Sequence, residues 1–303
     1  MLKSVPASLL AVLLLVACGK TPTRPDPGHD NPARSESAAQ TELPGPNDNL
    51  NAVAWTQTAV ERELIYRQTY RAAGFQLDRA LADADWEALA RNERKGERPA
   101  TLKPAVILDI DETVLDNSPY QARLVVNGNS YNEFTWSEWC REENAAGLPG
   151  ALEFTRLAAS KGVTVFYLSN RASDLGEATL ANLRKLGFPV ATDREVFLGL
   201  GTFVPGCEQN GSDKSCRREL IARDYRVLMQ FGDQLGDFID VMSNSPEARA
   251  EAVAPYLDWV GERWFVLPNP TYGHWESALF NNDWSQSAEV RREAKLRALK
   301  TGQ

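Results

Sequence analysis

From Leu50 to about residue 95 the apolar positions recur at helical spacing, with Val53, Val60 and Leu64 followed by Leu77, Leu81 and Leu89. That period predicts two packed helices, with Gly74 as the break. Beyond the polar stretch ERKGERPATLKP the texture changes to short apolar runs separated by amphipathic segments. The runs AVILDI (105–110), VTVFYLS (163–169), RVLMQFGD (226–233) and RWFVLPN (263–269) are rich in β-branched and aromatic residues. They lack polar alternation, as strands buried on both faces do. Between them GALEFTRLAASKG, DLGEATLANLRKLG, KSCRRELIAR and SPEARAEAVAPYLDWVGE read as helices. Strand alternating with helix predicts an α/β fold, a mainly parallel sheet with helices on both faces. There is no internal repeat.

Composition bounds the reading. A chain of 303 residues, 43% of them hydrophobic, can bury a core in one large domain or two modest ones. A net charge of −8 and a pI near 5.1 argue against a broad basic surface, so nucleic-acid binding is not expected.

At the N-terminus, MLKSVPASLLAVLLLVACGK carries Lys3 and then an apolar run to Ala17, too short to span a bilayer and suited to a signal peptide at 1–17. Its end, Leu15-Val16-Ala17-Cys18, resembles the bacterial lipobox, which implies lipidation of Cys18. Gly19 in place of an aspartate implies sorting to the outer membrane. Lipid on Cys18 would then be the only membrane contact of a soluble domain. Residues 18–49 hold many prolines and no aromatic residue, so they read as a disordered tether, with His29 solvated in it. The folded part is expected from 50 to 303. Of the remaining cysteines, Cys207 and Cys216 would close a short loop if paired; three buried thiols, Cys140 included, are the alternative.

The stretch ILDIDETVLDNSPY ends the first run and crowds Asp109, Asp111, Glu112 and Asp116 together. In a parallel sheet, ligands bind beyond the carboxyl ends of the strands. Like charges there call for a cation or a shared proton, and a hard ion such as magnesium suits carboxylate oxygens. An acidic helix start is the bland alternative. Other runs deliver Ser169, Asn170 and Arg171, Lys214 at a helix start, and Asp233 and Asp237 to the same edge. These are the parts that phosphoryl transfer uses: positioning, a metal and positive charge.

Asp109-x-Asp111-x-Thr113, Ser169, Lys214 and Gly232-Asp233-x-x-x-Asp237 resemble the four ordered motifs of the haloacid-dehalogenase superfamily. The longer forms ILDIDETVLDNSPY, YLSNR, FGDQLGDF and LPNPTYGHWE resemble the class C bacterial acid phosphatases, the lipoprotein acid phosphatase and 5′-nucleotidase family of subfamily III B. The resemblance runs from about Leu50 to about Ala278. It implies a Rossmannoid core with a small, mainly helical cap inserted at 116–148. By the same resemblance, Asp109 is the nucleophile, Asp111 the general acid and base, Ser169 a phosphoryl-oxygen ligand and Lys214 a charge neutraliser. One Mg2+ per site would sit on Asp109, the backbone carbonyl of Asp111, and Asp233. Thr113, Asn170, Arg171 and Asp237 would support the site, Asp237 by orienting the metal shell or Lys214. Gln234 departs from the family's usual Asn. If Lys214 were instead a solvated helix residue, Arg217 and Arg218 beside it would be surface charges.

The insert supplies Trp136 and Trp139, and the C-terminal segment Tyr272, His274 and Trp275. The resemblance implies that Trp136 and Tyr272 flank a nucleobase or aryl leaving group, while Trp139 and Trp275 are expected in the core. The function implied is a Mg-dependent acid phosphatase acting on phosphomonoesters such as nucleoside 5′-monophosphates and aryl phosphates, through an aspartyl-phosphate. A surface lipoprotein that binds a planar ligand, haem or a nucleotide, without turnover is the competing class. A sugar phosphatase or phosphotransferase is a third reading on the same core. A homodimer is left open.

Overall fold

The computed structural model describes residues 45–94, 102–209 and 211–302. The expected signal peptide, Cys18, His29 and the expected tether as far as residue 44 lie outside them. Two helices, α1 (Leu50–Thr58) and α2 (Val60–Ala82), lead into β1 (Lys103–Leu108). A short antiparallel pair, β2 (Leu115–Asp116) and β3 (Ala146–Gly147), brackets α3 (Ser118–Asn127) and α4 (Glu133–Arg141). Then come α5 (Ala151–Ser160), β4 (Thr164–Ala172), α6 (Gly176–Leu186), β5 (Phe197–Leu200), α7 (Ser215–Asp224) and β6 (Tyr225–Gly232). The chain ends with α8 (Pro246–Val253), β7 (Trp264–Val266), α9 (His274–Ser277) and α10 (Ala288–Ala298). No helix among the described residues is long and apolar enough to cross a membrane.

The sheet runs β5-β4-β1-β6-β7 and every pairing in it is parallel. β1 is central because Ala105 to Leu108 are apolar on both faces, each at most 1% exposed. From β1 the chain builds β4 and β5 to one side, then returns to place β6 and β7 on the other. That reversal puts a crevice at the carboxyl end of β1. The AVILDI strand stops at Leu108 rather than at residue 110, so Asp109 and Ile110 already belong to the turn above the sheet. β4 runs on to Ala172, but its register with β5 breaks between Leu168 and Ala172. Such an irregularity turns side chains out of the regular pleat, here Ser169 to Arg171.

Two expectations need correction. Gly74 does not break the helices; it lies inside α2, where a Cβ would stand 3.5 Å from Leu157 of α5. The break is at Ala59, extended at φ −76° and ψ 120°. Nor do Val60 and Leu64 face the core, being 60% and 57% exposed. The buried stripe of α2 is Tyr66, Tyr70, Ala73, Leu77 and Ala80. Tyrosines can take that face because their hydroxyls find acceptors there. Strand β5 and helix α10 went without a sequence signal. β5 is four residues long and contains Gly199, whose Cβ would come within 2.9 Å of the Arg171 carbonyl. α10 buries only Ala294.

Candidate active site

The turn after β1 gives each of its four acids a different partner. Asp109 is tied to the neighbouring strand by its own N–H, 2.9 Å from the Phe231 carbonyl. Its Oδ1 lies 2.5 Å from Lys214 Nζ, and the same ammonium stands 2.7 Å from Asp237 Oδ1. Asp111 Oδ1 accepts from Arg171 Nε at 2.9 Å and from Asn117 Nδ2 at 2.8 Å, and its Oδ2 lies 3.3 Å from Ser169 Oγ. Glu112 is buried, accepts from the Asn117 N–H at 2.8 Å and touches the Tyr272 hydroxyl. Burial, then the charges of Asp111, Asp233 and Asp116, hold its carboxyl well above the usual range. Asp116 pairs with Arg62 at 3.3 Å. The crowding in the sequence therefore resolves into one buried acid held by uncharged donors, two ion-paired ones and one nucleophile candidate beside a lysine.

The carboxylates of Asp109, Asp233 and Asp237 offer ligand atoms all within 4.8 Å of one another. With all three ionised against one ammonium the balance would be minus two, which a divalent cation would neutralise. The donor set is all oxygen, as a hard cation requires. Burial, followed by the charge of Asp237, pushes Asp233 up to about 7 even though Asn269 and Gln234 donate to it. Asp109 is also raised well above its ordinary value, by burial against the pull of Lys214 and by its acidic neighbours. Burial works against the charge of Lys214, but Asp109 and Asp237 outweigh it and hold the ammonium above its ordinary value. Both oxygens of Asp237 are taken, Oδ1 by Lys214 and Oδ2 by the Gln234 N–H at 2.8 Å, the second bond forming a capping box on the turn at 235–237. Gln234, the departure from the family pattern, donates to Asp233 Oδ2 at 2.8 Å and accepts from the His274 N–H at 3.1 Å. Gly273, at φ 148°, leaves room for it.

Lys214 directly precedes α7 and is 2% exposed. Arg217 and Arg218 are not surface charges: both are fully buried. Arg217 donates to the Ser169 carbonyl at 2.6 Å and to Asn170 Oδ1 at 2.7 Å, bridging the end of β4 to the loop before Lys214, where it also meets the Asp213 carbonyl at 3.0 Å. Asn170 is itself exposed and Thr113 fully buried, its hydroxyl without a hydrogen-bond partner among the described residues. Cys207 and Cys216 form a disulfide, which closes the loop containing Lys214; Cys140 is a free, buried thiol.

Among the aromatics, Trp139 is buried as expected, its indole donating to Asn117 Oδ1 at 2.8 Å. Trp275 is not in the core; it is 41% exposed, because its short helix lies at the surface with its indole N–H on the Tyr272 carbonyl. Trp136 is 9% exposed, packed edge-on to Tyr120 and lying under the Arg171 guanidinium at 5.5 Å. Tyr272 is half-buried beside Glu112. Sequence reasoning missed Asn117, Arg217 and Asn269, which hold Asp111, Ser169 and Asp233 in place. Asn117 and Asn269 stood inside stretches already singled out, DNSPY and LPNPTY; Arg217 carried no signal.

The family model for the HAD superfamily, subfamily IIIB (acid phosphatase), matches residues 41–275. The class C acid phosphatase from Bacillus anthracis is 36% identical, covers 84% of this chain and 97% of its own, and superposes with a TM-score of 0.71. The same enzyme's structure with tungstate bound gives 35% identity, the same coverages and the same score. The stem 31 kDa glycoprotein of Glycine max is 30% identical over 177 residues, 58% of this chain and 62% of that protein. Acid phosphatase 1 of Solanum lycopersicum is 24% identical over 166 residues, 55% of this chain and 57% of that protein. The chain thus spans about 60% of the length of these curated plant relatives.

Proposed function

The chain belongs to subfamily IIIB of the HAD superfamily, the acid phosphatases, and from that premise we propose that it is a magnesium-dependent phosphomonoesterase working through an aspartyl-phosphate. The carrying observation is the convergence of Asp109, Asp233, Asp237 and Lys214 at the carboxyl end of β1 and β6. Magnesium would be held by the carboxylates of Asp109 and Asp233 and the backbone carbonyl of Asp111, where its charge would offset that of the phosphoryl oxygens.

Asp109 attacks phosphorus while the bond to the leaving oxygen breaks, and Asp111 gives that oxygen its proton. Water then attacks the aspartyl-phosphate, Asp111 takes a proton from it, and phosphate leaves with Asp109 restored. Arg171 and Asn117 fix the Asp111 carboxylate, and Ser169 Oγ and Lys214 Nζ, the latter on Asp109, would neutralise or bind the phosphoryl oxygens.

The leaving group is read as planar, a nucleobase or an aryl ring. Tyr272 stands on the loop that also carries Asn269, the exposed Trp275 follows in α9 with its indole on the Tyr272 carbonyl, and Trp136 reaches the site through Arg171. A binding protein without turnover has no use for a lysine buried on a nucleophilic carboxylate.

The test is a panel of nucleoside monophosphates, aryl phosphates and sugar phosphates, assayed with and without chelator on the parent chain and on Asp109→Asn. Hydrolysis that chelator abolishes, magnesium restores and the substitution removes by several orders of magnitude is expected. A variant as active as the parent would remove Asp109 from the chemistry, and a preference for sugar phosphates would remove the planar leaving group.

A further inference from the structure

The backbone of the acidic turn is an improbable one. Glu112 adopts φ 55°, the left-handed region that side chains other than glycine rarely occupy. The Ile110 carbonyl collects the N–H groups of Thr113, Val114 and Leu115, at 3.3, 2.8 and 2.8 Å, and so folds the turn back on itself. The carbonyls of Glu112 and Thr113 are met from outside, by the hydroxyls of Tyr66 and Tyr70. Two residues one helical turn apart on α2 thus hold two consecutive peptides of the turn that carries Asp109 and Asp111.

Each tyrosine also reaches a second part of the site. Tyr66 Oη lies 3.4 Å from the Pro268 carbonyl. The next residue, Asn269, donates from Nδ2 to Asp233 Oδ2 at 2.8 Å. Tyr70 Oη meets the Thr113 carbonyl at 2.7 Å, and its ring stacks on Phe231 with centroids 5.3 Å apart and planes 13° from parallel. Phe231 is the residue whose carbonyl holds the Asp109 N–H. Both rings are sealed from solvent, at 0% and 2% exposure, and the Arg62 guanidinium covers Tyr66 at 5.1 Å while pairing with Asp116.

We propose that Tyr66 and Tyr70 are positioning residues for phosphoryl transfer, through which helix α2 sets the spacing between the nucleophile, the general acid and the acid that follows β6. This rests on the reading of Asp109 as nucleophile and Asp111 as acid and base. Removing either hydroxyl takes the donor from a carbonyl of the turn: Tyr66 holds the peptide after left-handed Glu112, and Tyr70 holds the next one. Asp111, one residue before Glu112 and two before Thr113, would shift with these peptides. Displacements of about 1 Å at such a centre can cost as much as a hundredfold in rate.

The experiment uses the full chain with Tyr66→Phe and Tyr70→Phe, which keep the packed rings and delete only the hydroxyls. Hydrolysis of p-nitrophenyl phosphate at saturating magnesium gives kcat and KM, and thermal unfolding reports the folded fraction at the assay temperature. Each variant is expected to lose roughly tenfold in kcat or more with KM little changed, while remaining folded. Tyr66→Phe and Asn269→Ala together should cost less than the product of their separate losses, since both act on the spacing of the same two loops. Leu64→Ala, on the exposed side of α2, should leave kcat unchanged. Parental kcat in both phenylalanine variants, or losses that track unfolding and vanish at lower temperature, overturns the proposal. A parent chain that hydrolyses no phosphomonoester overturns the phosphatase reading itself, and this proposal with it.

Discussion

Arg217 and Arg218 are adjacent on α7, both buried, and they solve the burial of a charge in different ways. Arg218 makes a two-pronged ion pair with Glu93, Nε to Oε2 at 2.7 Å and a terminal nitrogen to Oε1 at 2.5 Å, and it also donates to the Gly236 carbonyl at 2.8 Å. Among the described residues, Arg217 bonds carbonyls and the Asn170 amide oxygen rather than a carboxylate. Burial, and then the charge of Arg218, push its guanidinium down to about 10. Removing Glu93 would leave Arg218 as an uncompensated charge in the interior. Glu93→Ala is therefore expected to cost about 3–5 kcal/mol in chemical denaturation, and a loss under about 1 kcal/mol would mean that the pair is worth no more than a surface one. Neither burial was legible locally, since the partner that makes Arg218 tolerable lies 125 residues away.

At the level of elements, α7 and the loop before it are the part of the site that a covalent link braces. The Cys207–Cys216 disulfide spans nine residues of separation and encloses Lys214. By loop-closure entropy such a crosslink contributes about 2–3 kcal/mol. Replacing both cysteines with serine should lower stability by that amount in urea titration. Unchanged stability would mean that the native contacts of the loop suffice without the bridge. The two cysteines were visible as a candidate pair from their spacing, yet three free thiols fitted the sequence as well. The helical period of α2 was visible too, but not its phase, because Val60 and Leu64 are as apolar as a core requires while Tyr66 and Tyr70 had acceptors that the sequence could not display.

For the molecule as a whole, the acid cluster links fold stability to pH and to the cation. Asp109 and Asp233 hold their protons more tightly folded than unfolded. The stability this brings is complete below the unfolded carboxyl value of about 4 and is lost as pH rises through the folded values, near 7 for Asp233. Metal-free protein should therefore lose Tm between about pH 5 and pH 8 on account of these groups. A divalent cation binds the deprotonated carboxylates, so magnesium should raise Tm more near pH 8 than near pH 5. Equal shifts at the two values would show that the cluster does not titrate with the ion.

The amino-acid sequence by itself determined the layered α/β architecture and the residues that meet at its edge. Buried strands leave an apolar signature, and a parallel sheet sends every strand end to the same side, so Asp109, Asp111, Ser169 and Asp233 could be placed together from their positions in the runs alone. Only the tertiary structure decided which group answers which: Lys214 between Asp109 and Asp237, Arg171 on Asp111, Glu112 buried on Asn117 and Tyr272, Arg217 and Arg218 interior, Trp275 at the surface. Those outcomes depend on desolvation and on partners distant in the chain, and both exist only once the chain has folded.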